Sequence, residues 1–501
     1  MRSRVGAHES PIARLARGGV TAGLAALLIF ALSAAMAAAK PAKQAPRYSP
    51  GDLDRSFGDR GRAIFALPPQ EVIPGYLATP YPQATAIAGS PSGKLVAATR
   101  TQILQLGPGG KLDRRFGGGG RVKIEAPAGW MFLLADVAAD SRGRILVVGS
   151  VVSLSEETTP GPVEYPRVSG PPRRLAAVYR YLPSGSLDRG FGQNGVLTSD
   201  FAQLPATGPG PFDYRFGVAS VGATDVAVAP DDGFVLSGYS VKHVSTCGIP
   251  ATPTYEVRAY VARLAADGSL VPSFGTNGVV TDEGVERLGA ATLDPAGRIA
   301  LPAASGGYCG VRGPELQERL LSLGPSGQPD ASFGTAGSLL RSGLNVADIA
   351  FDRRGRLLVL GRPAVTDSNL RPQVRRLLSN GSPDPAFGRQ GSTSPRLPAG
   401  AHLTDLTVDG RGRVLLAGSA PAVFGLGSDF LLARLSSGGR ADRRFGNRGW
   451  VRTGFIPGVK AQASAISLDA RGRIVLGGTL TGPELRSGHA FAFARYLPRA
   501  N

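Results

Sequence analysis

Sulfur and imidazole are scarce in this 501-residue chain, which has two cysteines, three methionines and four histidines. Cys247 and Cys309 alone cannot build a disulfide-dense scaffold or a cysteine-based zinc site. His243, His402 and His489, the histidines beyond the N-terminal segment, stand apart from any H-E-x-x-H run or G-x-S-x-G elbow. The sequence therefore assigns no catalytic residue, no metal ligand and no cofactor. Aromatic residues make up only 7%, and the 37 acids are outnumbered by 56 lysines and arginines, a net charge of +19. Glycine is abundant instead, at 70 residues, about twice the usual ~7% share. No Gly-X-Y period exists, which excludes collagen, and each helical glycine costs ~1 kcal/mol relative to alanine, which disfavours long helices.

One stretch is apolar enough to cross a membrane, GGVTAGLAALLIFALSAAMAAA at 18–39, preceded by Arg2, Arg4, Arg14 and Arg17. A basic start, an apolar run and small residues at its end predict a secretory signal over residues 1–39, with an uncleaved membrane anchor as the alternative. Residues 40–47 read as a linker, and 48–501 as the folded part, outside the cytoplasm. Removing four arginines and one glutamate takes +19 to +16.

That folded part is built from repeats. The segments GDLDRSFGDRG (51–61), GKLDRRFGGGG (110–120), GSLDRGFGQNG (185–195), GSLVPSFGTNG (268–278), GQPDASFGTAG (327–337), GSPDPAFGRQG (381–391) and GRADRRFGNRG (439–449) share the pattern G-x5-F-G-x2-G. Each is followed by a second element, SPSGKLVAAT, DSRGRILVVG, PDDGFVLSG, DPAGRIALP, DRRGRLLVLG, DGRGRVLLAG or DARGRIVLGG, which reads as a tight hairpin turn entering a buried strand. Asp140, Asp294, Asp352, Asp409 and Asp469 hold its first position, with Ser90 and Pro230 as replacements. A third element, such as AAVYRYLPSG or FLLARLSSGG, alternates apolar and polar residues and predicts a half-buried strand.

Four antiparallel strands per unit, repeated seven times, predict an all-β, seven-bladed β-propeller. A linear solenoid would need capping repeats with polar outer faces, and none is visible. The sequence ends on the alternating strand and the folded part opens on the turn that normally follows it. The two termini are thus expected to adjoin at ring closure. The turn motif with its D-x-x-G-[RK]-[ILV] strand, over residues 48–501, resembles the delta-60 repeat family of bacterial proteins. That resemblance implies a propeller-like array, commonly exported, and it transfers no catalytic residue.

Asp54, Asp113, Asp188, Asp330, Asp384 and Asp442 share one motif position, which Val271 takes in the fourth copy. A lone carboxylate per unit suits capping of the next turn better than calcium. Phe57, Phe116, Phe191, Phe274, Phe333, Phe387 and Phe445, followed by Gly58, Gly117, Gly192, Gly275, Gly334, Gly388 and Gly446, read as core plugs. Lys94, Arg144, Arg298, Arg356, Arg413 and Arg473 follow the hairpin glycine, and Arg142, Arg354, Arg411 and Arg471 precede it, so ten cations would ring one face among seven acids. Cys247 and Cys309 fall in equivalent loops of adjacent units, and a disulfide is expected in an oxidising compartment.

Motif spacings of 59, 75, 83, 59, 54 and 58 residues leave extra material at 156–173, 201–222 and 241–255. These segments, with Tyr165, Phe212, Tyr214 and Tyr255, are candidate binding loops. The expected function is an exported, non-catalytic scaffold for binding or adhesion at the cell envelope. The candidate partners are an anionic wall polymer, a glycan or another envelope protein. Nucleic acid is not expected, and membrane contact is expected only through an uncleaved N-terminal segment. The alternative is an extracytoplasmic hydrolase or lyase using cross-blade carboxylates, for which Asp213, Glu256 and Glu286 are unassigned acids.

Overall fold

The computed structural model describes residues 49–67, 86–90, 92–153, 174–201, 220–246, 253–282, 285, 287–305, 317–340, 344–363, 371–423 and 426–498. The expected leader, both cysteines, Tyr165, Phe212 and Tyr214 lie outside them. Every helix or strand among the described residues is a strand.

After β1 (Arg62–Ala66), the strands form successive antiparallel meanders. The first holds β2 (Ala86–Gly89), β3 (Leu95–Ala98), β4 (Gln102–Leu106) and β5 (Arg121–Lys123). The next holds β6 (Trp130–Ala139), β7 (Ile145–Ser153), β8 (Arg174–Tyr181) and β9 (Val196–Ser199). The third holds β10 (Ser220–Val228), β11 (Phe234–Thr246), β12 (Pro253–Leu264) and β13 (Val279–Asp282). In the fourth, the first strand is split into β14 (Arg287–Leu288) and β15 (Thr292–Leu293), before β16 (Ile299–Ser305), β17 (Gln317–Leu323) and β18 (Ser338–Leu340). Then come β19 (Leu344–Phe351), β20 (Leu357–Pro363), β21 (Gln373–Leu377) and β22 (Ser392–Thr393), followed by β23 (His402–Val408), β24 (Val414–Pro421), β25 (Ser428–Leu435) and β26 (Trp450–Thr453). The last meander, β27 (Lys460–Leu468), β28 (Ile474–Thr481) and β29 (His489–Tyr496), takes its fourth strand from β1. β1 pairs antiparallel with β29 from Arg62↔Ala494 to Ala66↔Ala490.

The first strands of the meanders touch in sequence: β2 meets β6, then β10, β15, β19, β23 and β27 follow, and β27 meets β2. Apolar clusters lie between meanders rather than within them. One joins Phe57, Leu95 and Leu104 to Val475, Phe491 and Phe493, so the two ends of the repeat array share a core.

Covering on both faces corrects one expectation. The alternating strand is not half-buried: in β25 and β29 every residue from the third and second position onward, respectively, is buried. Its polar positions are enclosed as well, with Arg180, Arg376, Arg434 and Arg495 at 2–4% exposure.

A second correction concerns the third hairpin. Ala229, not Pro230, occupies the aspartate position, because its N–H bonds Gly233 O as that of Asp140 bonds Arg144 O. Asp232, at φ 62°, then does the work of the turn glycine. The insertion at 241–255 is also largely strand, since β11 and β12 stay paired out to Thr246↔Pro253.

Candidate functional site

The Phe-Gly turns are packing elements. All seven motif phenylalanines are 0–2% exposed. Gly58 has φ 53°, and a Cβ there would lie 1.9 Å from Arg62 O, so glycine is required. The Asp54 carboxylate accepts the Ser56 N–H at 3.0 Å, and Asp113, Asp188, Asp330, Asp384 and Asp442 likewise accept the N–H two residues on, at 2.9–3.2 Å.

The second oxygen of these aspartates meets the buried arginine of the alternating strand: Arg180–Asp188 at 2.9 Å, Arg376–Asp384 at 2.8 Å, Arg434–Asp442 at 3.0 Å and Arg495–Asp54 at 3.0 Å. Each guanidinium lies over the motif phenylalanine ring, 4.1–4.6 Å from its centroid, and donates to a carbonyl of the next meander in the chain or, at the array's end, across the junction: Ala266 O, Ser437 O, Pro498 O and Pro108 O.

The cations after the hairpin glycine do not form a free ring. Arg144, Arg298, Arg356, Arg413 and Arg473 pair with the aspartate four residues back at 2.5–3.2 Å, and Lys94 pairs with Asp113 at 2.8 Å. Arg142, before the glycine, pairs with Asp232 at 3.3 Å. Local acids thus neutralise these seven cations.

A different set of carboxylates gathers at the innermost strands. The pairing of β6, β10, β19 and β23 with their hairpin partners slips by one residue just before Asp136, Asp225, Asp348 and Asp405. Glycine opposite makes room for this bulge. A Cβ at Gly149 or Gly418 would fall 1.9 Å from the Leu133 or His402 carbonyl oxygen. The bulge turns each aspartate toward the following meander. Asp136 accepts the N–H of Val226 at 3.2 Å, Asp225 that of Ala291 at 2.8 Å, Asp348 that of Leu406 at 2.8 Å and Asp405 that of Ile466 at 2.6 Å. Ala86, Ala290 and Ala465 hold the equivalent position, four residues before the hairpin position, in the other meanders.

All four carboxylates are half-buried, and their titration is shifted by surrounding protein. Burial raises Asp136 to about 6, against the N–H groups of Val137 and Val226 and a side-chain hydrogen bond with Asp225. Asp225 is raised by burial, then by the charges of Asp136 and Asp348. Burial raises Asp405 to about 6 despite a hydrogen bond with Asp348 and the Ile466 N–H, and Asp348 is raised by burial and the Asp405 charge. Asp225 and Asp348 lie two meanders apart yet feel each other, so the carboxylates face a common interior. The arrangement can hold protons near pH 6 and lock neighbouring meanders together. No group of three or more His, Cys, Asp or Glu side chains is placed to hold a metal among the described residues.

None of these four aspartates is among the candidate residues that the sequence offers. Of the candidate cross-blade acids, Asp213 and Glu286 lie outside the described residues, and Glu256 sits on β12 opposite Lys242. Tyr255 pairs with His243 on the same hairpin. His402 begins β23, its pKa lowered by burial and then by Arg362. His489 Nδ1 lies 3.4 Å from Thr481 Oγ1.

A family model described as "Domain of unknown function (DUF5122) beta-propeller" matches residues 355–387, the β20 hairpin strand through the Phe387 turn. The fold is that of a β-propeller. Among solved structures, the polysaccharide lyase Uly1 is 11% identical, with 86% of this chain and 94% of that one covered and a TM-score of 0.44. The tricorn protease is 9% identical, with 90% and 36% covered and a TM-score of 0.38. An endo-arabinase from Bacteroides thetaiotaomicron is 14% identical, with 54% and 93% covered and a TM-score of 0.27. No curated protein matches the chain.

Proposed function

We propose that this chain is an exported, seven-bladed β-propeller that serves as a binding scaffold at the cell envelope. Seven turn motifs and the unbroken circuit of touching first strands support the blade count, with β1 completing the last blade. The delta-60 resemblance and the basic, apolar N-terminal segment support export.

The observation that carries the binding reading is how the acids are used. Each interior aspartate already accepts a backbone N–H from the next meander, and the motif and hairpin aspartates are tied to buried arginines or turn amides. The rigid ring then presents a basic exterior to anionic wall polymers, glycans or another envelope protein.

A second reading, a hydrolase or lyase acting in the central channel, draws on the Asp136 and Asp405 carboxyls, which hold protons near pH 6 as a general acid would. A screen of residues 48–501 against envelope polysaccharides and wall polymers, with chain-length analysis of each bound polymer, separates the two. Saturable binding without cleavage supports the scaffold, and shortening that is lost in Asp136→Asn or Asp405→Asn supports the enzyme.

A further inference from the structure

At the perimeter, between the meander ending in β22 and the one ending in β26, lies an open pocket of about 460 Å³ lined by Arg371, Arg396, Leu397, Pro398, Trp450 and Arg452. That volume falls in the range of small-molecule sites, about 300–1,000 Å³. Its wall has three guanidiniums, one indole and no carboxylate.

The sequence positions these groups by simple rules. Trp450 and Arg452 are two apart on β26, so they project from the same face. The Arg452 guanidinium lies 5.8 Å from the Trp450 ring. Trp450 and Leu397 also pack against the buried cluster around Phe387 and Leu403, which anchors that side of the pocket before any ligand arrives. Arg396 and Arg371 are exposed, on the link after β22 and just before β21, and neither makes an ion pair among the described residues. Arg452 acts on Asp429, a carboxyl that burial raises and that also faces Arg62, and the Arg452 Nε is buried without a hydrogen-bond partner.

The arginines after the hairpin glycines and those of the alternating strands at 180, 376, 434 and 495 are each neutralised by an aspartate. Here Arg371 and Arg396 face solvent beside the indole of Trp450 and the half-buried Arg452. Guanidinium forks match carboxylates in a planar, two-point geometry, and an indole offers a flat apolar surface for a ring. From this juxtaposition we infer that the pocket binds an acidic polysaccharide, seating a sugar ring on Trp450 and its carboxylate among Arg371, Arg396 and Arg452. The inference rests on the scaffold reading and names its ligand class.

The test is titration of residues 48–501 with polygalacturonate, neutral dextran and inorganic polyphosphate at 0.15 M salt. Wild type is compared with Arg371→Gln/Arg396→Gln and Trp450→Ala, each checked for an unchanged melting temperature. Polygalacturonate should bind and dextran should not. The double arginine variant, whose side chains are exposed, should fold normally and weaken binding at least tenfold, and Trp450→Ala should weaken it similarly. Should Trp450→Ala fail to fold, the double variant alone decides. Equal binding of dextran, or of polyphosphate with no dependence on Trp450, overturns the assignment. If wild type binds an envelope polymer but the pocket variants bind it equally well, the pocket is wrong and the scaffold stands. If no polymer of the envelope screen binds, both fail.

Discussion

Arg495 Nε lies 3.0 Å from Asp54 Oδ2, joining residues 441 positions apart. The same carboxylate oxygen takes Arg473 Nη1 at 3.1 Å, and the Arg495 guanidinium stacks on Phe57. Burial opposes ionisation of Asp54, but Ser56, Arg495 and Arg473 outweigh it and hold the carboxyl below its usual range. The N-terminal turn is thereby clamped to the C-terminal strand at the point where β1 pairs with β29.

Asp54→Asn keeps an acceptor for the Ser56 N–H but leaves Arg495, at 2% exposure, without its counter-charge. Breaking one side of a buried pair costs roughly 3–5 kcal/mol. Urea unfolding should show a loss of about 3 kcal/mol. Deletion of residues 1–66, which also removes β1 and leaves β29 as an unpaired edge, should lower the melting temperature further and promote aggregation.

Where Val271 replaces the motif aspartate, Arg263 turns instead to Asp231, at 2.8 Å. Asp231 is largely exposed, so this pair is worth no more than about 1 kcal/mol. Val271→Asp restores the eight-residue spacing of Arg180 to Asp188. A double-mutant cycle should find that Asp231→Ala costs up to about 1 kcal/mol in wild type and close to nothing in the Val271→Asp background.

The interior aspartates predict a pH dependence opposite to that of the clamp. Asp136 and Asp405 are raised from an ordinary value near 3.8 to about 6, so the folded state binds protons more tightly than the unfolded chain. Their contribution to stability is complete below about pH 4 and is lost as pH rises through about 6. Compared with Asp136→Asn/Asp405→Asn, wild type should lose relative stability between pH 4 and 7, by at most about 3 kcal/mol per carboxyl. Denaturant titrations at several pH values check this, and a constant difference would contradict it.

Ala336 sits at φ 48°, in the left-handed region that other motif copies fill with Arg60, Gly119, Asn194, Asn277, Gln390 or Arg448. Left-handed backbone costs an alanine about 1–2 kcal/mol. Ala336→Gly should raise stability by about 0.5–1 kcal/mol in thermal unfolding, after the entropy that glycine gains in the unfolded chain.

The repeat was legible because turn geometry dictates residue type: Gly58 admits no side chain, and Phe57 fills the gap that the turn leaves. Pairing of β1 with β29 follows from the same periodicity. The alternating strand misled because Arg434 and Arg495 look like a solvated face, whereas a neighbouring meander covers it and an aspartate eight residues downstream, or across the junction, neutralises the charge. Asp136 and Asp405 were missed because one acid in an alternating strand looks solvent-facing. The signal was an aspartate four residues before the hairpin aspartate, with a glycine nine residues after the latter, as in Asp405, Asp409 and Gly418. The pocket around Trp450 joins residues 371–452 across two meanders, and no local pattern announces it.

The most direct test of the account is to incubate residues 48–501 with polygalacturonate at pH 6, near the titration of Asp136 and Asp405, and to follow bound fraction and polymer length together. Saturable binding with the polymer length unchanged over time is the expected result. Progressive shortening of the polymer that disappears in Asp136→Asn/Asp405→Asn would contradict it.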